Sequence, residues 1–256
     1  LTIYQPEKIR KNEEFINTIK ALKPDVICVV AYGKILPKEI LEIPKLGCIN
    51  VHGSLLPQYR GAAPIQWSII NGDKVTGITT MYMDAGMDSG DMILQEKTEI
   101  GENETTGELW DRLSGIGAKL LVETLKQIEA GTAPRIKQGE EFTIAPMLEK
   151  EMSKINWKEK SAKEIKNLVR GLNPIMGTYS FFDGKKIKIW KVEVLPEENY
   201  DIENGTVIKA DAKEGLYIKA KEGIISVLEI QGENAKRMNI KDFLRGNQIK
   251  VGSMFE

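Results

Sequence analysis

The sequence is poor in the side chains that most nucleophilic and metal-dependent enzymes use. Its 256 residues include one histidine and two cysteines. Zinc sites are usually built from several Cys and His ligands close together, and the sequence contains no cluster of these two residue types. Ser54 lies in no Gly-x-Ser-x-Gly elbow and has no second histidine to complete a serine hydrolase triad. These absences argue against zinc chemistry and against a serine hydrolase.

Long apolar runs are absent as well. No stretch approaches the roughly 18 to 20 uncharged apolar residues of a membrane helix, and the first residues have no apolar core typical of a signal peptide. We therefore expect a cytoplasmic protein. Cys28 and Cys48 each lie within a short apolar run, where a thiol behaves as a small hydrophobe. Both are predicted to lie in the core.

Nucleotide-binding loops are also missing. The glycines of Gly115-Ile116-Gly117 fall inside a predicted helix, so they are no dinucleotide fingerprint, and the sequence has no Walker loop. Charge, in contrast, is abundant and unevenly placed. Residues 1–150 carry 17 basic and 21 acidic side chains, and residues 151–256 carry 19 and 16. The second half is therefore the part suited to attracting a phosphate backbone.

Helical and extended patterns alternate through the first half. The long helix begins at a capping box formed by Thr105 and Glu108 and ends at Gly131. Strands are predicted at 25–31, 46–51 and 77–83, and helices at 12–22, 37–43, 64–70 and 105–131. Buried strands separated by helices predict an α/β fold with a doubly wound, mostly parallel sheet over residues 1–131.

The second half has a different texture. Residues 132–172 are interpreted as a connecting segment followed by one helix at 161–170. From residue 173 onward, short alternating strands are predicted at 178–182, 186–194, 206–210, 216–220 and 224–230. This pattern favours a small OB-like β-barrel over residues 173–256, a type of barrel that often binds oligonucleotides.

The single histidine ends a predicted buried strand. Asn50 precedes His52 by two residues, so both side chains point to one side of the strand. Ligands of open α/β sheets bind at the carboxyl ends of strands, which is where these two side chains are expected. Asp88 lies in the loop after the next strand, and a carboxylate beside His52 would hold the imidazole and help to move a proton. We predict a catalytic group of Asn50, His52 and Asp88.

A family resemblance gives this group a chemistry. The stretch from Asn50 to Ile65, which reads NVHGSLLPQYRGAAPI, and the loop from Met83 to Asp91 resemble the signature of methionyl-tRNA formyltransferases. That family lies within the folate-dependent formyltransferase superfamily, whose catalytic domain is Rossmann-like. Leu244-Arg245-Gly246 resembles the family's second domain, so the similarity runs over essentially the whole chain.

The resemblance implies roles for particular residues. The family's catalytic Asn, His and Asp fall on the same three positions that the spacing selects. Residues expected to contact 10-formyltetrahydrofolate, the formyl donor, are Ser54, Leu55, Leu56, Pro57, Gly33, Lys34, Ile35, Leu36 and Asp84. The other substrate implied is initiator methionyl-tRNA, bound by a monomer with no metal. The family has a further βαβ unit in front of the segment that begins at Leu1, so the catalytic domain is expected here without it.

Other interpretations share parts of these observations. The same chemistry serves formyltransferases that act on an amino sugar nucleotide or on glycinamide ribonucleotide, and a related hydrolase releases formate. A catalytically silent RNA-binding protein is the alternative from a different class. The basic second half favours tRNA as the acceptor.

Overall fold

Two structural units share the chain, and each is assembled from separate stretches of sequence. The computed structural model describes residues 1–196 and 201–256. The first unit contains residues 1–64, 75–99 and 111–147, and the second contains residues 65–74, 100–110 and 148–256. Among the described residues, no helix combines the length and the apolar character needed to cross a membrane.

The predicted elements are largely present. The helices are α1 (Glu13–Leu22), α2 (Lys38–Leu41), α3 (Pro64–Ile70), α4 (Thr106–Glu129), α5 (Ala162–Gly171) and α6 (Ile240–Gly246). The strands are β1 (Ile27–Val30), β2 (Cys48–His52), β3 (Arg60–Gly61), β4 (Val75–Tyr82), β5 (Met92–Glu99), β6 (Ile144–Ala145), β7 (Thr178–Phe182), β8 (Lys185–Leu195), β9 (Val207–Asp211), β10 (Gly215–Lys219), β11 (Ile224–Gln231) and β12 (Met238–Asn239).

The first unit has the expected α/β architecture, but the prediction of a mostly parallel sheet is wrong. Its four-stranded sheet has the order β1-β2-β4-β5. β1 and β2 are parallel, whereas β4 is antiparallel to β2 and to β5. Residues 83–91 join β4 to β5, and this connection is shorter than the dozen or more residues that a parallel crossover needs. The hydrophobic pattern did not reveal β5, because its exposed half carries charged side chains.

Apolar clusters cover both faces of this sheet. One cluster packs α1 and α2 against β1 and includes the buried side chains of Ile16 and Ile40. A second cluster packs the C-terminal half of α4 against the opposite face through Ile49 and Ile128. Helical layers on both faces agree with a doubly wound arrangement.

The two cysteines have different environments. Cys48 on β2 is buried, as predicted, but Cys28 on β1 is exposed, so the prediction of a core position for Cys28 is wrong. β1 is an edge strand whose burial alternates along its length, with Ile27 and Val29 packed inward and Cys28 and Val30 facing out. An apolar run of four residues cannot distinguish such a strand from one covered on both faces.

The second unit is β-rich, as expected, and its last residues close it. The strand path is β7-β8-β11-β10-β9, which leaves β7 and β9 as the two edges. Residues 253–256 bond to both edges: Phe181 exchanges two backbone hydrogen bonds with Glu256, and Val207 donates to Ser253. The chain end thus joins the two edges into a small barrel, as the OB-like prediction required.

Helix caps agree with the sequence signals. The Asn12 side chain accepts a hydrogen bond from the Phe15 amide at the start of α1. Ser161 and Glu164 form a reciprocal capping box at the start of α5, and hydrogen bonds from Ser161 lower the pKa of the Glu164 carboxyl. The short helix α6 was not predicted, because its seven residues are too few for a periodic pattern.

Candidate active site

β2 places Asn50 and His52 on one face of the sheet, as strand alternation predicted. In the pairing with β4, Asn50 lies opposite Met81 and His52 opposite Thr79. His52 is buried, with 5% of its surface exposed, whereas Asn50 is half-buried. His52 is therefore largely shielded from solvent, whereas part of Asn50 remains accessible.

The loop after β4 brings Asp88 to these two side chains. The Asn50 Nδ2 and Asp88 Oδ1 atoms are 3.4 Å apart, and His52 Nδ1 lies 3.7 Å from Asp88 Oδ2. The Gly61 amide donates a hydrogen bond of 2.9 Å to the same Oδ2. Asp88 adopts a left-handed backbone conformation with φ of 49°, which is uncommon for a residue other than glycine and is frequent at functional sites.

The reason for this meeting differs from the one that the sequence suggested. Carboxyl ends of parallel strands lie at one edge of a sheet, but β4 runs antiparallel to β2. The loop instead starts beside the first residue of β2, where the Met83 amide donates to the Cys48 carbonyl. It then folds back, and the Tyr82 amide donates to the Asp91 carbonyl. The folded-back loop, rather than the end of a neighbouring parallel strand, therefore brings Asp88 to Asn50.

The imidazole of His52 has a defined proton arrangement. Its Nε2 lies 2.8 Å from the Tyr59 carbonyl oxygen. A carbonyl oxygen can only accept, so Nε2 carries a proton. Nδ1 then faces the Asp88 carboxylate. The Tyr59 carbonyl thereby fixes the tautomer of the neutral ring.

A second group of residues holds the site in place and was not found from the sequence. The Gln138 side-chain amide donates to the Asp88 carbonyl at 2.8 Å and to the Gly90 carbonyl at 2.9 Å. Its oxygen accepts a 2.9 Å hydrogen bond from Arg60 Nε. Gln138 lies in the segment that we interpreted as a connection, where no periodicity or motif distinguishes it.

The turn that follows His52 is rigidly bonded within the protein. Ser54 Oγ donates to the Gln58 carbonyl, and the Leu56 amide donates to Thr79 Oγ1. The Leu56 carbonyl accepts from Gln95. The polar groups of Ser54 and Leu56 therefore shape the turn, whereas Leu55 and Pro57 are half-buried beside them.

The remaining predicted donor-binding residues lie in two loops. The loop of residues 33–36 follows β1, whose Val30 pairs with Val51, so it starts at the same end of the sheet as His52. Ile35 is largely exposed and Leu36 is buried, while the Lys34 ammonium group donates to backbone carbonyls of residues 6 and 7. The exposed Asp84 accepts hydrogen bonds from Gly86 and Ser89 within its own loop.

Neither an activated thiol nor a metal-binding cluster accompanies these groups in the described part of the chain. Burial, with a smaller contribution from Cys28, raises the pKa of the Cys48 thiol to about 11. Cys48 is thus protonated near neutral pH and is a poor nucleophile. Among residues 1–196 and 201–256, no group of three or more His, Cys, Asp or Glu side chains is placed to hold a metal ion.

Comparison with known proteins identifies the family. The family described as "Formyl transferase" matches residues 3–125, and "Formyl transferase, C-terminal domain" matches residues 147–248. A methionyl-tRNA formyltransferase of Acetivibrio thermocellus is 49% identical over 255 residues, which cover 99% of this chain and 81% of the relative. A methionyl-tRNA formyltransferase of Clostridioides difficile is 51% identical over 98% of this chain and 81% of its own length.

The chain belongs to the methionyl-tRNA formyltransferase family. The resemblance predicted from the NVHGSLLP segment is thereby confirmed. Among solved structures, HypX from Aquifex aeolicus in complex with tetrahydrofolic acid has a TM-score of 0.68 and 17% identity, covering 93% of this chain and 44% of that chain. At this identity, the likeness shows that this chain and HypX share a fold.

In this methionyl-tRNA formyltransferase family member, the backbone of the Asp88 loop leaves no room for a side chain at Gly90. A Cβ atom added there would lie 1.9 Å from the Tyr82 carbonyl oxygen. We expect Gly90→Ala to displace the loop and to lower kcat about 10²-fold, the loss typical of a displacement of about 1 Å in an active site. Steady-state kinetics would measure it. Gly115→Ala, at an exposed position of α4, is the matched control, since its Cβ meets nothing within 4 Å, and equal kcat for both variants would contradict the prediction.

Proposed function

We propose that this chain transfers the formyl group of 10-formyltetrahydrofolate to the α-amino group of methionine on initiator tRNA. The observation that carries the proposal is the meeting of Asn50, His52 and Asp88 in a chain 49% identical to a methionyl-tRNA formyltransferase. Residues 1–131 carry the reaction in this proposal, 132–172 connect, and 173–256 bind tRNA. The reaction takes place in the cytoplasm, with the protein acting as a monomer.

The amino group of the methionyl ester is the nucleophile. It must be neutral to attack, and α-amino groups have pKa values of about 7.7 to 8.0, so a reactive fraction exists at neutral pH without a strong base. The nitrogen bonds to the formyl carbon, and the carbonyl electrons move to oxygen to give a tetrahedral oxyanion. The Asn50 amide and the protonated His52 ring stabilise this oxyanion by hydrogen bonding.

Collapse of the oxyanion breaks the bond between the formyl carbon and N10. The attacking nitrogen loses a proton, and N10 gains one, so the products are formylmethionyl-tRNA and tetrahydrofolate. His52 Nδ1 and Asp88 Oδ2, 3.7 Å apart, are too distant for a direct hydrogen bond. A water molecule that hydrogen-bonds both groups from beside the gap, which is too narrow to hold one, would relay the proton.

The chemistry of the loops suits a flat folate ring. Ile35 and Met87, one in each loop, expose 68% and 62% of their surface and offer apolar contact to the pterin. Leu55 packs over Gly77, where an added Cβ would come within 2.6 Å of the Leu55 side chain. We propose that Gly33, Lys34, Ile35, Leu36 and Asp84 contact the donor with the 54–57 turn, whose internal hydrogen bonds give it a fixed shape.

A basic and aromatic surface on the second unit supports tRNA as the acceptor. On β7 and β8, Lys186 lies 3.7 Å from the centre of the Tyr179 ring, and Lys188 lies 5.1 Å from that of Trp190. Arg237 stacks on the same Trp190 ring at 5.1 Å. Cations interleaved with half-buried rings are the pattern by which proteins attract phosphates and stack bases.

The test is formyl transfer from 10-formyltetrahydrofolate to three acceptors: charged initiator tRNA, an amino sugar nucleotide and glycinamide ribonucleotide. The proposal expects product with the tRNA alone. Turnover with a small acceptor would indicate a different formyltransferase of the same superfamily. Release of formate without transfer would indicate the hydrolase. Binding of tRNA without any turnover would support a silent RNA-binding protein.

Salt dependence tests the proposed tRNA surface. We expect the Lys186→Ala, Lys188→Ala double variant to weaken tRNA binding at low salt. The slope of log K against log salt should also fall by about one unit for each phosphate that the variant no longer neutralises. Lys213→Ala, which removes an exposed charge from the turn between β9 and β10, is the control. An unchanged slope in the double variant would place the tRNA elsewhere.

A further inference from the structure

Gln138 joins the loop that follows His52 to the loop that carries Asp88. One side of its amide donates to the carbonyl groups of Asp88 and Gly90. The other side accepts from Arg60, which lies in the segment that supplies the Tyr59 carbonyl to His52. The Gln138 side chain thus connects the segment of Tyr59, whose carbonyl binds the His52 imidazole, with the loop that carries the Asp88 carboxylate.

The surrounding contacts fix Gln138 from both directions. Arg60 is buried, and its guanidinium lies 4.3 Å from the centre of the Phe142 ring. Thr143 binds the other loop through its side chain, which accepts from the Tyr59 amide at 2.8 Å, and through its carbonyl, which accepts from the Arg60 amide at 2.9 Å. β3 and β6 pair in parallel next to these contacts. The segment of residues 138–145 is therefore attached to residues 59–61 at the end of the loop that follows His52.

Only an amide satisfies both sides of this position. The two carbonyl oxygens require donors, and Arg60 Nε requires an acceptor. A carboxylate would keep the Arg60 contact but would face two carbonyl oxygens with no proton to share. An apolar side chain of similar length would lose all three hydrogen bonds.

We propose that Gln138 is a positioning residue, which holds the Asp88 carboxylate at its working distance from His52 and Asn50. The inference rests on the proposed function, because Asp88 is its target. Asp88 has a left-handed backbone, a conformation that persists only when neighbouring contacts over-determine it. The hydrogen bond from Gln138 to the Asp88 carbonyl is one such contact, and the bond to Gly90 fixes the loop two residues later.

The test compares Gln138→Glu and Gln138→Met with the wild-type enzyme and with Gln127→Glu. Gln127 donates to Glu123 on the surface of α4, so its variant makes the same chemical change away from the site. We expect kcat to fall about 10- to 100-fold in both Gln138 variants, with KM for either substrate nearly unchanged, because a small misplacement of a reacting group costs rate rather than binding. Gln127→Glu is expected to retain the wild-type kcat.

A double-variant cycle separates positioning from general support of the fold. If Gln138 acts through Asp88, Gln138→Glu in an Asp88→Ala background causes little further loss of kcat. A full additional 10- to 100-fold loss there would overturn the inference, as would wild-type kcat in both Gln138 variants. Unfolding temperatures measured on each variant set the assay temperature below the onset of unfolding.

A readout without turnover distinguishes failure of this inference from failure of the proposed function. Since the chain has one histidine, its ring gives a single set of NMR signals. Asp88→Asn is expected to shift these signals, and Gln138→Met to shift them in the same direction. Absent formyl transfer by the wild-type enzyme would contradict the proposed function, whereas unshifted ring signals in Gln138→Met would contradict the positioning role alone.

Discussion

Replacing His52 with alanine lowers kcat for formyl transfer by about 10²- to 10³-fold, or roughly 2.7 to 4 kcal/mol, the cost of removing one donor to a tetrahedral oxyanion. The loss is expected in kcat because the oxyanion exists only after attack. Affinity for tRNA is expected to change little. Asn50→Ala and Asp88→Ala should cause losses of the same order, since the three side chains form one group.

Single-turnover measurements with saturating donor and tRNA would show the loss at the chemical step. Asp91→Asn is the matched control, because it removes a carboxylate three residues after Asp88 that pairs with the exposed Arg135 at 3.5 Å. His52 is buried, so His52→Gln serves as a second variant that keeps most of the volume. Near-normal turnover by a folded His52→Ala variant would contradict a role for the histidine in the mechanism.

The three predicted catalytic residues can be located from the sequence because their signals are local. Asn50 and His52 lie two residues apart on an apolar strand, and period-two alternation is enough to place them on one face. Asp88 stands in a loop rich in Gly and Asp that directly follows a strand. The structure brings all three together, although its route for Asp88 passes through an antiparallel pair.

Strand direction could not be predicted in the same way. An antiparallel and a parallel strand with the same residues bury the same side chains, so the apolar pattern of 77–83 carries no direction. The prediction of a core position for Cys28 is wrong for a related reason, because whether a strand lies at an edge depends on the order of strands in the sheet. Both properties are set by long-range pairing.

Gln138 and Thr79 illustrate a third limit. Thr79 Oγ1 donates to the Ser54 carbonyl, and Gln138 binds residues 50 and 78 positions away. Such contacts are made by ordinary polar side chains that no spacing rule selects, in one case within a segment that has no periodicity. The residues that perform the proposed chemistry were therefore accessible from the sequence, and those that hold them in place were not.

The other large expected effect is on the stability of the second unit and concerns Phe255, in the segment that joins its two edge strands. Phe255 is 1% exposed, and the centre of its ring lies 4.8 Å from that of Phe182 and 6.3 Å from that of Trp157. We expect Phe255→Ala to lower the free energy of unfolding of this unit by about 3 to 5 kcal/mol, the usual cost of truncating a buried phenylalanine. That is a large share of the roughly 5 to 15 kcal/mol by which domains are stable.

Urea unfolding followed by tryptophan fluorescence would measure the change, since Trp157 and Trp190 lie in this unit. Val251→Ala, an exposed position of the same terminal segment, is the control and should unfold like the wild type. Deletion of residues 253–256 removes the Phe255 ring and the hydrogen bonds to Phe181 and Val207 together. It should therefore destabilise the unit at least as much as Phe255→Ala. A smaller effect of the deletion would mean that the chain end does not stabilise the barrel through the contacts at its two edges.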